Sequence, residues 1–126
     1  MQSKERALLC AAHALEKKAL DVKIIQVQGL SSLTDFLLIA SGTSDRHVMA
    51  IAEEVRLKLK TEHALQPLAV EGMNEGRWVL IDYGDVMVHV FQSEVRSFYD
   101  LEGLWSEAPL LPVPAELQWE GTSGPA

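Results

Sequence analysis

Hydrophobic residues recur at helical spacing in two segments of the chain. The apolar stripe of the first segment consists of Leu8, Ala11, Ala12, Leu15 and Ala19, and that of the second of Val48, Ile51, Ala52, Val55 and Leu59. The first stripe predicts a helix from Ser3 to Leu20, with Ser3 as its N-cap. The second predicts a helix that begins near Ser44 and ends near His63, because Pro67 cannot continue it.

Short apolar runs outside these helices predict strands. The predicted strands are Val22–Val27, Phe36–Ala40, Leu68–Val70, Arg77–Tyr83 and Val86–Phe91. A short turn or helix around residues 94–105 follows them. The resulting order, α-β-β-α-β-β-β plus a short C-terminal helix, predicts one α/β domain over residues 1–108. Its five-stranded sheet is expected to be mixed, with helices mainly on one face.

The last two strands are separated only by Gly84 and Asp85, which predicts a hairpin with a type II′ turn and a fixed register. One face pairs Tyr83 with Val86, Ile81 with Val88, and Val79 with Val90. The other pairs Asp82 with Met87, Leu80 with His89, and Trp78 with Phe91. The first face is almost purely β-branched and suits a helix-covered core. We expect the second, aromatic face to stay open as a protein-binding surface, unless the last helix or the tail covers it.

Composition changes after Ala108. Four of the five prolines fall within residues 109–126, which have no hydrophobic periodicity. This pattern predicts an extended or disordered tail, in which Leu110, Leu111 or Trp119 could lie against the body.

The formal net charge of −7 disfavours autonomous binding to nucleic acid, because the chain has few cations to place on phosphates. Such charge suits a basic protein partner, although it could equally serve solubility alone. No apolar run approaches the roughly 20 residues that span a bilayer, and the N-terminus does not resemble a signal peptide. With a single cysteine, Cys10, the sequence predicts a cytoplasmic protein without disulfides or membrane association.

Few residues suggest catalysis or metal binding. Asp82 and Asp85 could hold Mg²⁺ as a carboxylate pair, but turn chemistry already explains Asp85. The turn at residues 41–44 could bind an anion, although Thr43 or Ser44 as an N-cap explains it better. The chain's histidines (His13, His47, His63 and His89) show no metal-ligand spacing. We therefore predict no catalytic residue, no cofactor and no metal site.

Several motifs, in order along residues 4–108, resemble the Iojap or ribosomal silencing factor family. They are Leu30-Ser31-Ser32-Leu33-Thr34-Asp35-Phe36, Ala40-Ser41-Gly42-Thr43-Ser44-Asp45-Arg46, Glu71-Gly72, the hairpin from Gly76-Arg77-Trp78 to Val90-Phe91, and Arg96-x-Phe98-Tyr99-Asp100-Leu101-Glu102-x-Leu104-Trp105. The hairpin motif Tyr-Gly-Asp-Val-x-Val-His-Val-Phe, followed by Phe-Tyr-Asp-Leu-Glu, is the most specific of these.

The resemblance implies a nucleotidyltransferase-like fold without catalytic residues. It also implies binding to ribosomal protein L-fourteen on the intersubunit face of the large ribosomal subunit, which would block subunit joining and repress translation under nutrient limitation. A monomer is expected when bound, and a homodimer is possible when free. The contact candidates carried over by position are Trp78, Leu80, Asp82, Tyr83, His89, Phe91, Tyr99, Asp100 and Leu101. The alternatives are a small nucleotidyltransferase-like enzyme using Asp82, Asp85 and the turn at 41–44, or an open face that only self-associates.

Overall fold

Four helices and six strands make up residues 1–114, the part of the chain that the computed structural model describes. In chain order they are α1 (Ser3–Glu16), β1 (Leu20–Gln26), β2 (Phe36–Gly42), α2 (Asp45–His63), β3 (Ala69–Glu71), β4 (Trp78–Asp82), β5 (Val86–Gln92), α3 (Ser93–Tyr99), α4 (Leu101–Leu104) and β6 (Leu110–Leu111). Trp119, expected as a possible tail contact, lies outside the described residues. Within the described residues no helix has the length and apolarity required to span a bilayer.

The strands form one mixed sheet in the order β3-β4-β5-β2-β1-β6, in which β2 and β5 are parallel and every other neighbouring pair is antiparallel. The predicted mixed α/β fold is therefore confirmed, but the count of five strands was wrong. The sixth strand pairs Leu110 and Leu111 with Ile25 and Ile24 of β1. A two-residue strand between prolines has no alternation to reveal it, and it forms because β1 offers an unpaired edge.

The β-branched face of the sheet carries the main core, as predicted. All six residues assigned to this face of the hairpin are buried: Val79, Ile81, Tyr83, Val86, Val88 and Val90. Helices α1 and α2 cover them with apolar stripes that include Ala11, Val48 and Ile51. Burial of these aliphatic side chains is the largest favourable contribution to folding.

The opposite face is covered in part, which corrects the expectation that it stays open. A second cluster joins Ile25, Leu37 and Phe91 to Val95 of α3, with Leu101 packed against it. Both short helices therefore lie over strands β1, β2 and β5. On these strands the structure shows the alternative stated above, in which the last helix covers the face. Over β4 the face remains accessible.

Helix α1 ends earlier than the hydrophobic stripe indicates, at Glu16 instead of Leu20. Lys18 then adopts a φ of 60°, which turns the chain towards the sheet, and Leu20 pairs with Ser41 of β2. Sheet pairing therefore overrides helix periodicity at this end. At the other end the N-cap is Gln2 and not Ser3.

Helix α2 matches its predicted bounds. The Ser44 Oγ accepts a hydrogen bond from the His47 N–H at 3.1 Å, which satisfies a free amide of the first turn. The helix ends at His63, and Ala64 follows in the left-handed conformation with φ 55°.

Two glycines with nearly the same backbone φ provide a stability test. Gly72 has φ +87° and an added Cβ would collide with the Trp78 carbonyl oxygen, whereas Gly29 has φ +86° and open space around that position. We expect Gly29→Ala to lower the free energy of unfolding by about 1 kcal/mol, the cost of positive φ alone. Gly72→Ala should cost about 3 kcal/mol, because steric overlap adds to it. Urea denaturation measures both, and equal losses would contradict the predicted clash.

Candidate interaction surface

Trp78 lies at the centre of an aromatic cluster on the second sheet face. The predicted register is confirmed here, since Trp78 pairs with Phe91, Leu80 with His89, and Asp82 with Met87. The Trp78 Nε1–H donates a hydrogen bond to the His89 Nδ1 at 3.0 Å. Its ring centroid lies 4.7 Å from that of Phe91. These contacts fix the indole in place while leaving the residue half-buried.

Three of the contact candidates are buried, which corrects the expectation that they touch a partner directly. Phe91 has 0% of its surface exposed, His89 8% and Tyr83 6%. The register places Tyr83 against the α1–α2 layer, and burial raises the pKa of its hydroxyl. Phe91 and His89 lie beneath Trp78 and support it from the sheet side.

The remaining candidates of the hairpin form a half-exposed strip along β4. Trp78, Leu80 and Asp82 alternate with buried residues, as the pleat requires. The Asp82 Oδ1 also accepts a hydrogen bond from the Gly84 N–H at 2.8 Å. Asp82 therefore stabilises the hairpin turn as well as lying on the accessible face.

Helices α3 and α4 expose large apolar side chains, and those of α3 lie beside this strip. Phe98 is 80% exposed, Tyr99 54% and Leu104 76%. The Tyr99 ring centroid lies 5.0 Å from those of both Trp78 and Phe98. We call Trp78, Phe98, Tyr99 and Leu104 the α3–α4 surface; Leu101 packs half-buried beneath it.

Phe98 and Leu104 were not among the predicted contacts. A signal for them existed, because the segment from Phe98 to Trp105 has five large apolar residues in eight positions. Two helices of seven and four residues cannot turn so many side chains towards one sheet. Some of these side chains must face solvent, but the sequence does not indicate which.

Arg96 fastens the two helices to the sheet. This residue is only 6% exposed. Its Nη1 donates to the Asp21 carbonyl oxygen and to the Ser41 Oγ, both at 2.8 Å, while its Nε and Nη2 donate to the two oxygens of Glu102 at 2.9 and 3.1 Å. The Arg96 guanidinium holds the pKa of Glu102 below its ordinary value, against the opposing effect of burial. One side chain therefore links α3, α4, β2 and the start of β1.

Asp100 is the junction between the two helices. It adopts φ 47°, a conformation that aspartate tolerates better than most residues. Its carboxylate lies where a Cβ at residue 103 would be placed, so the absence of a side chain at Gly103 lets the carboxylate pack close to α4. Asp100 is exposed and accessible to a partner.

A groove beside the aromatic residues carries charge of both signs. It is lined by Trp78, Phe98 and Tyr99 together with Glu75, Arg77, Gln92, Glu94 and Val95. Beyond it, Asp100 and Glu107 add exposed carboxylates to the same pair of helices and the turn that follows. The exposed charge around the α3–α4 surface is therefore mostly acidic.

The groups considered for catalysis have structural roles. The Asp85 Oδ1 pairs with the Arg6 Nη1 at 2.7 Å, and the Asp82 Oδ1 accepts a hydrogen bond from the Gly84 N–H of the hairpin turn. In the turn at residues 41–44, the Thr43 N–H donates to the His47 Nδ1 at 2.9 Å. Burial raises the pKa of Cys10 to about 12, so its thiol is not an activated nucleophile.

The structure contains one cluster of possible metal ligands that the spacing of the histidines in the sequence does not reveal. His13 of α1 meets Glu62 and His63 at the end of α2, with one potential ligand atom of each within 4.8 Å of the others. His13 is far in sequence from the adjacent residues Glu62 and His63, and only the packing of α1 beside α2 brings it to them.

Comparisons with known proteins point to one family. A family model described as ribosomal silencing factor during starvation matches residues 1–123. The ribosomal silencing factor RsfS of Bacillus subtilis is 43% identical over 110 residues, covering 87% of this chain and 92% of its own length. The chloroplastic Iojap protein of Zea mays is 31% identical over 112 residues, covering 89% of this chain and 48% of its own. A crystal structure of a Chromobacterium violaceum protein superposes with a TM-score of 0.81 at 38% identity, covering 84% and 88% of the two chains.

Replacing Arg96 tests whether its hydrogen bonds hold α3 and α4 against the sheet. We expect Arg96→Ala to lower the free energy of unfolding by about 3 kcal/mol, because it leaves Glu102 half-buried without its main partner. Arg56→Ala, which removes an exposed ion pair with Glu53, should cost no more than about 0.5 kcal/mol. Chemical denaturation at neutral pH compares the two. Similar losses would show that Arg96 contributes no more than a surface ion pair.

His89 predicts a pH dependence of stability. Burial lowers its pKa from 6.5 to about 4, so between these values the unfolded chain binds a proton that the folded chain does not. The free energy of unfolding should therefore fall as pH is lowered from 6.5 to 4, by up to about 3 kcal/mol from this residue. His89→Asn offers an oxygen to the Trp78 N–H without titrating, and should flatten this dependence in denaturation curves. A profile unchanged by the substitution would contradict the assignment.

Proposed function

The chain belongs to the ribosomal silencing factor family, and from this premise we propose that it binds ribosomal protein L-fourteen on the intersubunit face of the large ribosomal subunit. Occupying that face blocks joining of the small subunit by steric exclusion. The protein acts in the cytoplasm as a stoichiometric repressor of translation under nutrient limitation, and it catalyses no reaction.

The observation that carries this proposal is the exposure of Phe98, Tyr99 and Leu104 on α3 and α4. Large apolar side chains grouped at a surface are costly to leave in water and are typical of binding hot spots. Trp78 extends the group onto the sheet and is already held by His89 and Phe91. A rigid aromatic anchor of this kind loses little conformational entropy on binding.

We propose as partner contacts only those residues whose side chains are accessible at the surface. Direct contacts are expected from the exposed or half-exposed residues Trp78, Leu80, Asp82, Phe98, Tyr99, Asp100, Leu101 and Leu104. The buried residues Phe91, His89 and Tyr83 shape the surface from within and do not touch the partner.

Charge favours a basic protein over RNA as the bound surface. The formal net charge is −7, and Glu94, Asp100 and Glu107 are exposed on or beside α3 and α4. Acidic groups at the rim raise the rate of encounter with a basic ribosomal protein. The same groups are repelled by ribosomal RNA, so they restrict docking to a place where protein forms the ribosomal surface.

The bound form is expected to be a single copy on the ribosome. A homodimer of the free protein would hide the same aromatic residues and would have to dissociate first. Sedimentation of the free protein at several concentrations tests this.

Alanine substitution on the α3–α4 surface tests the proposal. We expect Phe98→Ala and Tyr99→Ala each to weaken binding to large subunits by about 30-fold, which corresponds to a loss of about 2 kcal/mol at a hot spot. Leu57→Ala is the matched control, because Leu57 is 55% exposed but lies on α2, across the sheet. The Leu57→Ala variant should bind large subunits with the same affinity as the unchanged protein.

The measurement is co-sedimentation with isolated large and small bacterial ribosomal subunits, combined with an assay of subunit joining. The unchanged protein should travel with the large subunit at about one copy and reduce joining. Binding to neither subunit would overturn the proposed function. Binding that survives both aromatic substitutions would overturn the proposed surface while leaving the function in place.

A further inference from the structure

The C-terminal ends of α1 and α2 bring together three groups that are able to ligate a metal ion. His13 projects from α1, and Glu62 and His63 are the last two residues of α2. One nitrogen from each histidine and one Glu62 oxygen all lie within 4.8 Å of one another. The cluster lies in the helical layer, on the opposite side of the sheet from the α3–α4 surface.

His13 is oriented as a metal ligand would be. It is only 6% exposed, and its Nδ1 lies 3.0 Å from the Oε1 of Glu16. Because an ionised carboxylate only accepts hydrogen bonds, this contact places the proton on Nδ1 and the lone pair of a neutral ring on Nε2. A carboxylate on the far nitrogen is the usual partner of a histidine that ligates a metal.

The Nε2 of His13 lacks a hydrogen-bond partner among the residues that the structure describes, although it is buried. It points towards Glu62, whose Oε1 is 3.9 Å away, too far for a hydrogen bond. A buried acceptor left unpaired carries a desolvation cost. A metal ion between these atoms would remove that cost.

We propose that His13, Glu62 and His63 bind a divalent transition-metal ion, of which Zn²⁺ fits best. Two imidazole nitrogens and one carboxylate match the ligands of zinc, whereas Mg²⁺ and Ca²⁺ prefer oxygen alone. Three protein ligands leave the fourth tetrahedral position to water.

Small movements complete the coordination. Three atoms within 4.8 Å of one another share a point no more than about 2.8 Å from each, and zinc bonds are about 2.0–2.2 Å long. Shifts of less than about 1 Å therefore suffice. Glu62 is exposed and His63 half-buried, so both side chains can adjust to the fixed His13. The other oxygen of Glu62 lies 3.5 Å from the Lys58 Nζ, so that contact does not use the ligating atom.

The bound ion would join the end of α1 to the end of α2. It would stabilise the folded chain by an amount set by its concentration relative to its dissociation constant. None of its ligands lies on the α3–α4 surface, so binding of the metal and binding of the ribosome are separable.

The experiment is calorimetric titration of the full chain, freed of metal by a chelator, with Zn²⁺ alone. Co²⁺ absorption spectra report tetrahedral coordination independently. The test variants are His63→Ala and Glu62→Gln, whose side chains are accessible enough to leave folding intact. Their matched controls on the same helix are Lys60→Ala and Glu53→Gln, both exposed and outside the cluster.

We expect one Zn²⁺ per chain, affinity reduced at least about tenfold by either test variant, and no change in the controls. The Co²⁺ bands should weaken in parallel. Absence of binding by the unchanged chain would overturn the proposal. So would binding that both test variants retain, since the ion would then be held by groups outside the cluster.

Discussion

The α3–α4 surface depends on one buried guanidinium. Two helices of seven and four residues have too few internal hydrogen bonds to persist alone, and their outer faces are apolar and exposed. Arg96 compensates by bonding to the carbonyl of Asp21, the hydroxyl of Ser41 and both oxygens of Glu102. Because these partners lie on three different elements, the position of Phe98 and Tyr99 is tied to the sheet and not to local helix stability.

The second constraint is the hairpin register, which determines what supports Trp78. The two-residue turn places Phe91 opposite Trp78 and His89 opposite Leu80, so the indole rests on one aromatic ring and bonds to another. A shift of β4 by one residue would turn its side chains over and bring Val79, in place of Trp78, to this side. The aromatic surface and the aliphatic core are therefore two consequences of the same pairing.

Arg96 acts through residues distant in sequence, whereas the hairpin register is set locally, and this difference explains which features the sequence could predict. Turn length, strand alternation and helical periodicity are local patterns, and they predicted the hairpin pairs, the presence of both long helices and the mixed sheet. Contacts between distant residues were not accessible: Arg96 with Ser41, His13 with Glu62, and the pairing of Leu110 with Ile25 have no local pattern. The same limit affected the site. Phe91 and His89 belong to the aromatic face by register, but whether α3 covers that face depends on packing. Packing of α3 and α4 also determines that Phe98 and Leu104 face solvent, which the sequence does not show.

The two layers of the protein divide its roles. Helices α1 and α2 bury the β-branched face and bring together His13, Glu62 and His63. Helices α3 and α4 cover only part of the other face and leave an aromatic edge in which Trp78 is held in place by His89 and Phe91. Preorganisation of this kind lowers the entropy lost on association, so a modest surface can bind firmly without a large rearrangement. For a protein proposed to act by occupying space on the ribosome, a rigid exposed edge on a stable sheet is sufficient, and no reactive group is required.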